Sequence, residues 1–173
     1  MKKSEDEKRY GTFKNDKGEL EAVHKIVFEN GETKLKSKLN IKKGKLARSQ
    51  GSRFELKVRN HWENMNWIVD KWTNNVDLQS DKITMAKRKY NPFMRALTIG
   101  TGFPDFIALK PFNDGKHEVI GIEVKMNGTL SKEEKDKCKW YLEKGIFSKV
   151  YVAKKGSKRG EIEHIDFFDR WGK

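Results

Sequence analysis

Two acidic residues and one lysine lie in or next to short apolar segments, and charged side chains are unusual in such segments. Asp105 precedes the apolar residues 106–109, and Glu123 follows Asp105 by 18 positions, with Lys125 two residues further on. Because side chains alternate along a strand, Glu123 and Lys125 are expected on one face and Val124 on the other. An apolar strand does not readily hold charges unless they serve as partners or ligands. These residues therefore predict a polar site on a sheet.

A carboxylate pair in this place would attract a cation. Asp105 opens the strand that is expected to pair with the strand carrying Glu123, so the two carboxylates could lie close together. Two anionic carboxylates held close repel each other and raise a pKa unless a cation lies between them. Hard oxygen ligands suit Mg²⁺, with Mn²⁺ as a possible substitute, because such an ion keeps several waters and can bind substrate phosphate.

The elements that must position these residues are short buried strands. Residues 106–109 and 119–124 are apolar runs typical of central strands, and the turn-forming residues 113–115 predict that the two runs pair antiparallel. Three further segments are predicted as strands, the last of them with a mixed end: residues 67–72, 149–153 and 161–168.

Two amphipathic helices accompany the strands. Ser131 and Glu134 form a capping box, which predicts a helix that runs to about Lys144, with Gly145 as its stop. An earlier helix is predicted to begin after Gly44, with an apolar stripe at helical spacing and Glu55 beside it. The stripe consists of Phe54, Val58, Trp62 and Met65. The order of elements predicts a mixed α/β core.

The segments outside this core are strongly charged. Residues 22–28 and 33–39 flank Asn30-Gly31, which is a strong signal for a β-hairpin. We therefore divide the chain into a charged N-terminal arm with a hairpin, residues 1–44, and an α/β core, residues 45–173. Within the core, a short basic helix is predicted over residues 81–90, ended by Asn91-Pro92.

The composition favours a soluble protein with a polyanionic partner. The 173 residues include 38 Lys and Arg against 25 Asp and Glu, a formal charge of +13. The excess is concentrated in residues 1–50, 81–99 and 131–160, which suits a nucleic acid, although lysine-rich surfaces also serve solubility or heat adaptation. A single cysteine excludes an internal disulfide and a multi-thiolate zinc site. No apolar run long enough for a membrane helix and no export signal is present, so a cytoplasmic, DNA-associated location is expected.

The acidic motifs resemble those of a nuclease superfamily. Pro104-Asp105 followed by Glu123-x-Lys125 resembles the PD-(D/E)XK signature. Residues 51–55, Gly-Ser-Arg-Phe-Glu, resemble the first motif of the archaeal Holliday junction resolvase branch, and residues 102–105 and 128–131 resemble VRR-type nuclease modules. The resemblance covers residues 45–155. It implies a restriction-endonuclease-like α/β core with a central mixed β-sheet flanked by helices.

The resemblance also implies roles for individual residues. Glu55, Asp105 and Glu123 would be metal-side carboxylates, with the carbonyl of Val124 as a further ligand of Mg²⁺. Lys125 would position or help deprotonate the attacking water and offset negative charge at the phosphate. The implied chemistry is metal-assisted phosphodiester hydrolysis. Many branches carry a Gln on the following helix, where this chain has Glu134 and Lys135, and neither residue is assigned a role.

The implied function is that of a Mg²⁺-dependent DNA endonuclease, most plausibly one that cuts branched DNA in recombination or repair. Two symmetric cuts in a four-way junction would require a homodimer. One alternative is a VRR-type or restriction-type nuclease on duplex, nicked or single-stranded DNA, and another is a nucleic-acid-binding protein without turnover.

Basic residues beside the motifs are candidates for contacts with DNA phosphates. These candidates are Arg53, Lys87, Arg88, Lys89 and Arg95. A solvated basic helix explains most of them equally well. A purely structural alternative also exists for the acidic motif, in which Glu123 and Lys125 form a surface ion pair on an edge strand and Asp105 merely starts a turn.

Overall fold

The computed structural model describes residues 12–14, 17, 20–22, 24–29, 32–86, 88–91, 96–99 and 102–172. The chain forms two compact units, residues 1–52 and 53–173, and the division falls inside helix α1, Lys38–Asn64. The second unit contains the residues of the predicted acidic site.

The described residues of the N-terminal unit form two small antiparallel strand pairs, followed by the start of α1. Strand β1 (Thr12–Lys14) pairs with β2 (Leu20–Ala22), and β3 (His24–Glu29) pairs with β4 (Glu32–Ser37). The predicted pairing of residues 22–28 with residues 33–39 is confirmed in outline, whereas the turn Asn30-Gly31 lies outside the described residues. The second strand is shorter than predicted, because α1 begins directly after Ser37.

Helix α1 is longer at its start and its apolar stripe is shorter at its end than the sequence predicts. The helix begins at Lys38 and contains Gly44 and Gly51, and a Cβ at either glycine would meet nothing within 4 Å. A glycine in a helix costs only about 1 kcal/mol relative to Ala, so Gly44 is not a helix boundary. Met65 lies beyond the last residue of the helix and is 39 % exposed. The buried stripe therefore consists of Phe54, Val58 and Trp62.

Short strands replace the predicted basic helix at residues 81–90. Strand β5 (Ile68–Lys71) is followed by the antiparallel pair β6 (Asn74–Asp77) and β7 (Lys82–Met85), and then by the pair β8 (Arg88–Asn91) and β9 (Ala96–Ile99). The helix prediction was wrong because the β-branched residues Ile83 and Thr84 favour a strand. Asp77 also stabilises the turn, since its carboxylate accepts a hydrogen bond from the Ser80 hydroxyl at 2.7 Å.

Five strands form one mixed sheet. Its last four strands are β10 (Phe106–Pro111), β11 (His117–Val124), β12 (Lys149–Lys155) and β13 (Ile162–Asp166). The strand order is β13-β12-β11-β10-β5, with β11 and β12 parallel and the other neighbours antiparallel. The predicted antiparallel pairing of β10 with β11 is confirmed, and β11 is a central strand.

Helices cover both faces of the sheet. The stripe of α1 packs on one face against Val69, Phe106, Ala108, Ile120 and Ile122. On the other face, Cys138 and Tyr141 of α2 (Lys132–Glu143) and Phe167 of α3 (Phe167–Trp171) pack with Val150 and Val152. The protein is thus an α/β structure with a central mixed sheet and helices on both sides.

The start of α2 confirms the predicted cap. The Ser131 hydroxyl accepts a hydrogen bond from the Glu134 backbone, and the Glu134 carboxylate accepts one from the Ser131 backbone. The helix ends at Glu143, and Gly145 has a φ of 64°, the left-handed conformation that follows many helices. None of the described helices is both long and apolar enough to span a membrane.

Candidate active site

The register of β10 and β11 places Asp105 opposite Glu123. Phe106 pairs with Ile122, so one step further along the two strands Asp105 faces Glu123. The Asp105 backbone N–H donates to Glu123 Oε2 at 3.2 Å, and the Val124 N–H donates to Asp105 Oδ2 at 2.9 Å. Each carboxylate therefore accepts a hydrogen bond from the backbone of the opposite strand, which holds the two acidic groups together.

The alternation along β11 separates the charged side chains from the apolar one, as the sequence predicts. Val124 packs against the core cluster of α1, whereas Lys125 turns to the Glu123 side, with its Nζ 3.0 Å from Glu123 Oε1. Glu123 is only 4 % exposed. Because β11 is a central strand and Glu123 is buried, the alternative of a surface ion pair on an edge strand is wrong.

Glu134 joins the site from the first turn of α2. Its Oε1 lies 2.6 Å from Lys125 Nζ, and its Oε2 accepts a hydrogen bond from the Ser131 N–H at 2.7 Å. The capping box therefore fixes the carboxylate that holds Lys125. Lys135, which follows Glu134 in the sequence, lies over the Trp171 ring instead.

Glu55 reaches the same end of the sheet from the opposite face. It lies next to the buried stripe of α1, and its Oε2 is 3.5 Å from Lys71 Nζ on β5. The negative charge of Glu55 contributes to a raised pKa at Asp105, so the two groups interact electrostatically. The structure thus brings Asp105, Glu123, Val124 and Lys125 into direct contact, with Glu55 nearby but paired to Lys71.

Burial keeps a proton on the carboxylate pair. Burial, and then the neighbouring charge of Asp105, raises the pKa of Glu123 from 4.5 to about 8. Burial is also the main reason that the pKa of Asp105 is raised, against the hydrogen bond from Val124. Near neutral pH the pair therefore favours holding one proton over carrying two negative charges.

Lys125 remains a cation. Burial alone lowers the pKa of its ammonium, but the hydrogen bonds and charges of Glu134 and Glu123 outweigh burial and raise that pKa above its ordinary value. One ammonium group is thus shared between two carboxylates.

The donor set fits a small divalent cation. Mg²⁺ is commonly held by one or two carboxylates together with waters and substrate phosphate. Asp105 and Glu123 supply two carboxylates whose pKa values burial raises, so a bound cation would stabilise their charged forms. Within the described part of the chain, no three His, Cys, Asp or Glu side chains are grouped as a ready metal site. The fit is therefore to two carboxylates, with Glu55 outside the immediate group.

A rigid segment leads into Asp105. The Tyr141 hydroxyl donates to the Phe103 carbonyl at 2.8 Å and accepts from Trp72 Nε1 at 3.1 Å. A Cβ at Gly102 would collide with the backbone carbonyls of Trp72 and Asn74, so only glycine fits this close approach. The Phe103–Pro104 peptide is cis. The close approach at Gly102 explains why a glycine stands in this segment.

The basic residues expected at DNA are only partly described. Arg53 is exposed on α1, whereas Lys87 and Arg95 lie outside the described residues. Arg88 and Lys89 belong to β8 rather than to a helix.

Lys71 is a candidate site residue that the sequence analysis missed. It contacts Glu55, contributes positive charge at Asp105 and lies over the Phe106 ring, 5.9 Å from its centroid. The strand pattern could have indicated this residue, because Lys71 follows the buried Val69 by two positions and therefore lies on the same face of the sheet.

Comparison with protein-family models, with curated proteins and with solved structures finds no match to this chain.

Proposed function

We propose that this protein is a metal-dependent DNA endonuclease of the PD-(D/E)XK type. One observation carries the proposal: the carboxylates of Asp105 and Glu123 lie together at one end of the central strands, each accepting a backbone hydrogen bond from the opposite strand, with Lys125 beside them. Buried acidic pairs with raised pKa values are typical of functional sites. The restriction-endonuclease-like assignment of the fold is part of this proposal.

The chain's own groups would do the following work. Asp105 and Glu123 would hold Mg²⁺ or Mn²⁺, and that ion, when bound, supplies polarisation of the scissile phosphate and activation of water. Lys125 would stabilise the negative charge that develops on the phosphate, since its raised pKa keeps it protonated. Glu134 would position Lys125 through their 2.6 Å ion pair. The raised pKa favours this electrostatic role of Lys125 over removal of a proton from water.

The proposed substrate is branched DNA, and the proposed assembly is a homodimer that acts on DNA in the cytoplasm. The branched substrate rests on the resemblance of residues 51–55 to the resolvase motif, and DNA as partner is also supported by the charge of +13. A VRR-type or restriction-type nuclease on unbranched DNA would use the same acidic pair.

A second candidate function is nucleic-acid binding without turnover. It is favoured by one observation: Glu55 is paired with Lys71 and not with the acidic pair. On this account the acidic pair would only stabilise the ends of β10 and β11.

A cleavage assay separates these candidates. A four-way junction, a flap, a nicked duplex and a single strand, each labelled, are incubated with Mg²⁺ or Mn²⁺ and with the wild-type, Glu123→Gln or Glu118→Gln protein. Glu118 is the matched control because it lies on the same strand at the opposite end. We expect cleavage by the wild type and by Glu118→Gln, and a loss of roughly a thousandfold for Glu123→Gln. Cleavage by Glu123→Gln at the wild-type rate would contradict the proposed site, whereas binding without any cleavage would favour the second candidate.

A further inference from the structure

A cationic cavity lies at the turn between β12 and β13. It has a volume of about 410 Å³ and is bounded on one side by Phe54 and Lys57 of α1. The turn, residues 155–161, forms the other side. Because one water occupies about 30 Å³ of liquid, the cavity has room for a phosphate group together with several waters.

The charge of the lining is strongly positive. Four cationic side chains face one carboxylate, a net charge of +3 for the side chains Lys57, Lys155, Lys158, Arg159 and Glu161. Two different elements contribute the cations, so the positive charge surrounds a concave space instead of spreading over a convex helix face. A concave surface with one sign of charge concentrates anions.

The single acidic residue of the cavity, Glu161, accepts hydrogen bonds from within the turn. Glu161 Oε2 accepts hydrogen bonds from the Lys158 N–H at 2.9 Å and from the Ser157 hydroxyl at 3.2 Å. The Gly156 N–H donates to the Glu161 carbonyl at 3.0 Å. The carboxylate of Glu161 therefore shapes the turn and does not pair with the cationic side chains around it.

The cations of the cavity also have no acidic partner elsewhere in the described residues. No ion pair within that part of the chain involves Lys57, Lys155, Lys158 or Arg159. The contrast with the preceding lysine is instructive, because Lys154 pairs with Glu163 across β12 and β13 at 3.0 Å. The four cations are thus available to an external anion.

The cavity lies at the same end of the sheet as the candidate active site, on the side that α1 covers. The Lys125 N–H donates to the Ala153 carbonyl at 2.9 Å, and the Lys155 N–H donates to the Met126 carbonyl at 3.3 Å. The residues that directly follow β11, Lys125 and Met126, therefore contact the end of β12 that leads into the cationic turn. On the helix, Phe54 of the cavity directly precedes Glu55.

We infer that this cavity binds the phosphodiester backbone of a polynucleotide, at phosphates other than the one that Asp105 and Glu123 would engage. The inference deepens the proposed function and rests on it for the position of the scissile phosphate. Cations spread over two elements suit consecutive phosphates of a strand better than a single free phosphate. The site contacts phosphates and not bases, so it contributes affinity without sequence preference.

Binding of a fluorescent duplex by two matched triple variants tests the inference. The first is Lys155→Gln, Lys158→Gln and Arg159→Gln. The control removes the same charge from exposed positions, with Lys82→Gln, Lys116→Gln and Lys139→Gln. Glutamine keeps much of the side-chain length, and melting curves verify folding. Without divalent cations, we expect the first variant to bind roughly tenfold more weakly than the control. We also expect its slope of log K against log [salt] to be smaller in magnitude than that of the control, by up to about 2.7.

The outcomes separate the inference from the proposed function. Equal affinity and equal salt slope for the two triple variants would overturn the inference, as would inorganic phosphate at low millimolar concentration displacing the duplex as effectively as unlabelled duplex does. Cleavage by the unaltered protein is measured on the same duplex and on a four-way junction. If the first variant binds the duplex more weakly than the control and the unaltered protein cleaves neither DNA, the result would support the phosphate site and contradict the nuclease proposal.

Discussion

Two regions of the central sheet withdraw a titratable side chain from water, Glu123 fully and His164 partly, and their surroundings are opposite. Glu123 lies next to a second carboxylate and an ammonium group, and its pKa is raised to about 8. His164 of β13 lies among rings, stacked on His61 with centroids 4.8 Å apart and edge-on to Trp62 at 5.0 Å. Burial, with a smaller contribution from His61, lowers the pKa of His164 to about 4. In both regions burial favours the neutral form.

The neighbours distinguish a site for chemistry from a site for packing. The neutral His164 ring gains aromatic contacts, and protonation would only place a charge among those rings. Glu123 instead contributes to an excess of negative charge that one lysine does not balance, and a cation would relieve it. A buried titratable group therefore indicates a functional site mainly when its surroundings would be stabilised by a bound ion of opposite charge.

The largest expected effect comes from a substitution in the acidic region, whereas a substitution in the aromatic region should have little effect on cleavage. Asp105→Asn keeps the size of the side chain but removes the negative charge next to Glu123, and we expect cleavage of the preferred DNA to fall by a factor of about a hundred to a thousand. His164→Phe, which keeps a flat ring, is expected to cleave within about twofold of the wild type. Rates are measured at saturating DNA and Mg²⁺, and equal losses in the two variants would remove the distinction between the regions.

The pH dependence of stability sharpens the comparison at Glu123. Its pKa is higher in the folded state than the ordinary 4.5, so its contribution to stability is complete below pH 4.5 and is lost as the pH rises through about 8. Without divalent cations, the stability of Glu123→Gln relative to the wild type should therefore increase by about 4 kcal/mol between these pH values. Denaturant unfolding at several pH values measures this difference, and a difference that is independent of pH would contradict the raised pKa.

The aromatic region should respond to pH in the opposite direction. The folded-state pKa of His164, about 4, lies below the ordinary 6.5, so its contribution is complete above pH 6.5 and is lost as the pH falls through 4. Over this range the wild type should lose up to about 3 kcal/mol that His164→Phe does not lose, an upper limit because His164 is only partly buried. His117→Phe, at an exposed position, is the control and should lose as much as the wild type. Parallel stability curves for all three proteins would contradict the lowered pKa of His164.

The smallest expected effect concerns Lys71, which links Glu55 to the acidic region. Lys71 is more than half exposed, so its ion pair with Glu55 is worth at most about 1 kcal/mol. We expect Lys71→Gln to reduce cleavage by up to about fivefold, and Lys110→Gln, at another exposed strand lysine, to leave it unchanged. A loss as large as that of Asp105→Asn would mean that Lys71 belongs to the acidic group itself.

The strands of the site were predictable from the sequence because their signals are local. The turn at residues 113–115 sets the antiparallel pairing of β10 and β11, and this pairing brings Asp105 to Glu123. The side-chain alternation then places Lys125 beside Glu123. The cap of α2 likewise depends on Ser131 and Glu134 alone.

The features that the sequence did not predict depend on contacts between distant segments. Gly44 looks like a helix boundary, but the helical residues on both sides continue through it. The contact of Glu134 with Lys125 requires α2 to begin beside the end of β11, and the pairing of Glu55 with Lys71 requires α1 to pack on β5. The residues from 81 to 90 are basic in either conformation, so charge did not distinguish two strands from a helix.

Calorimetric titration with Mn²⁺ at pH 7, repeated in buffers of different ionisation enthalpy, tests most directly whether the buried acidic pair is a cation site. Because Glu123 retains its proton at this pH, we predict that the wild type and Glu118→Gln bind the ion and release about one proton, and that Glu123→Gln neither binds nor releases. Equal Mn²⁺ binding by Glu123→Gln, or no binding by the wild type with DNA absent and present, would contradict the account.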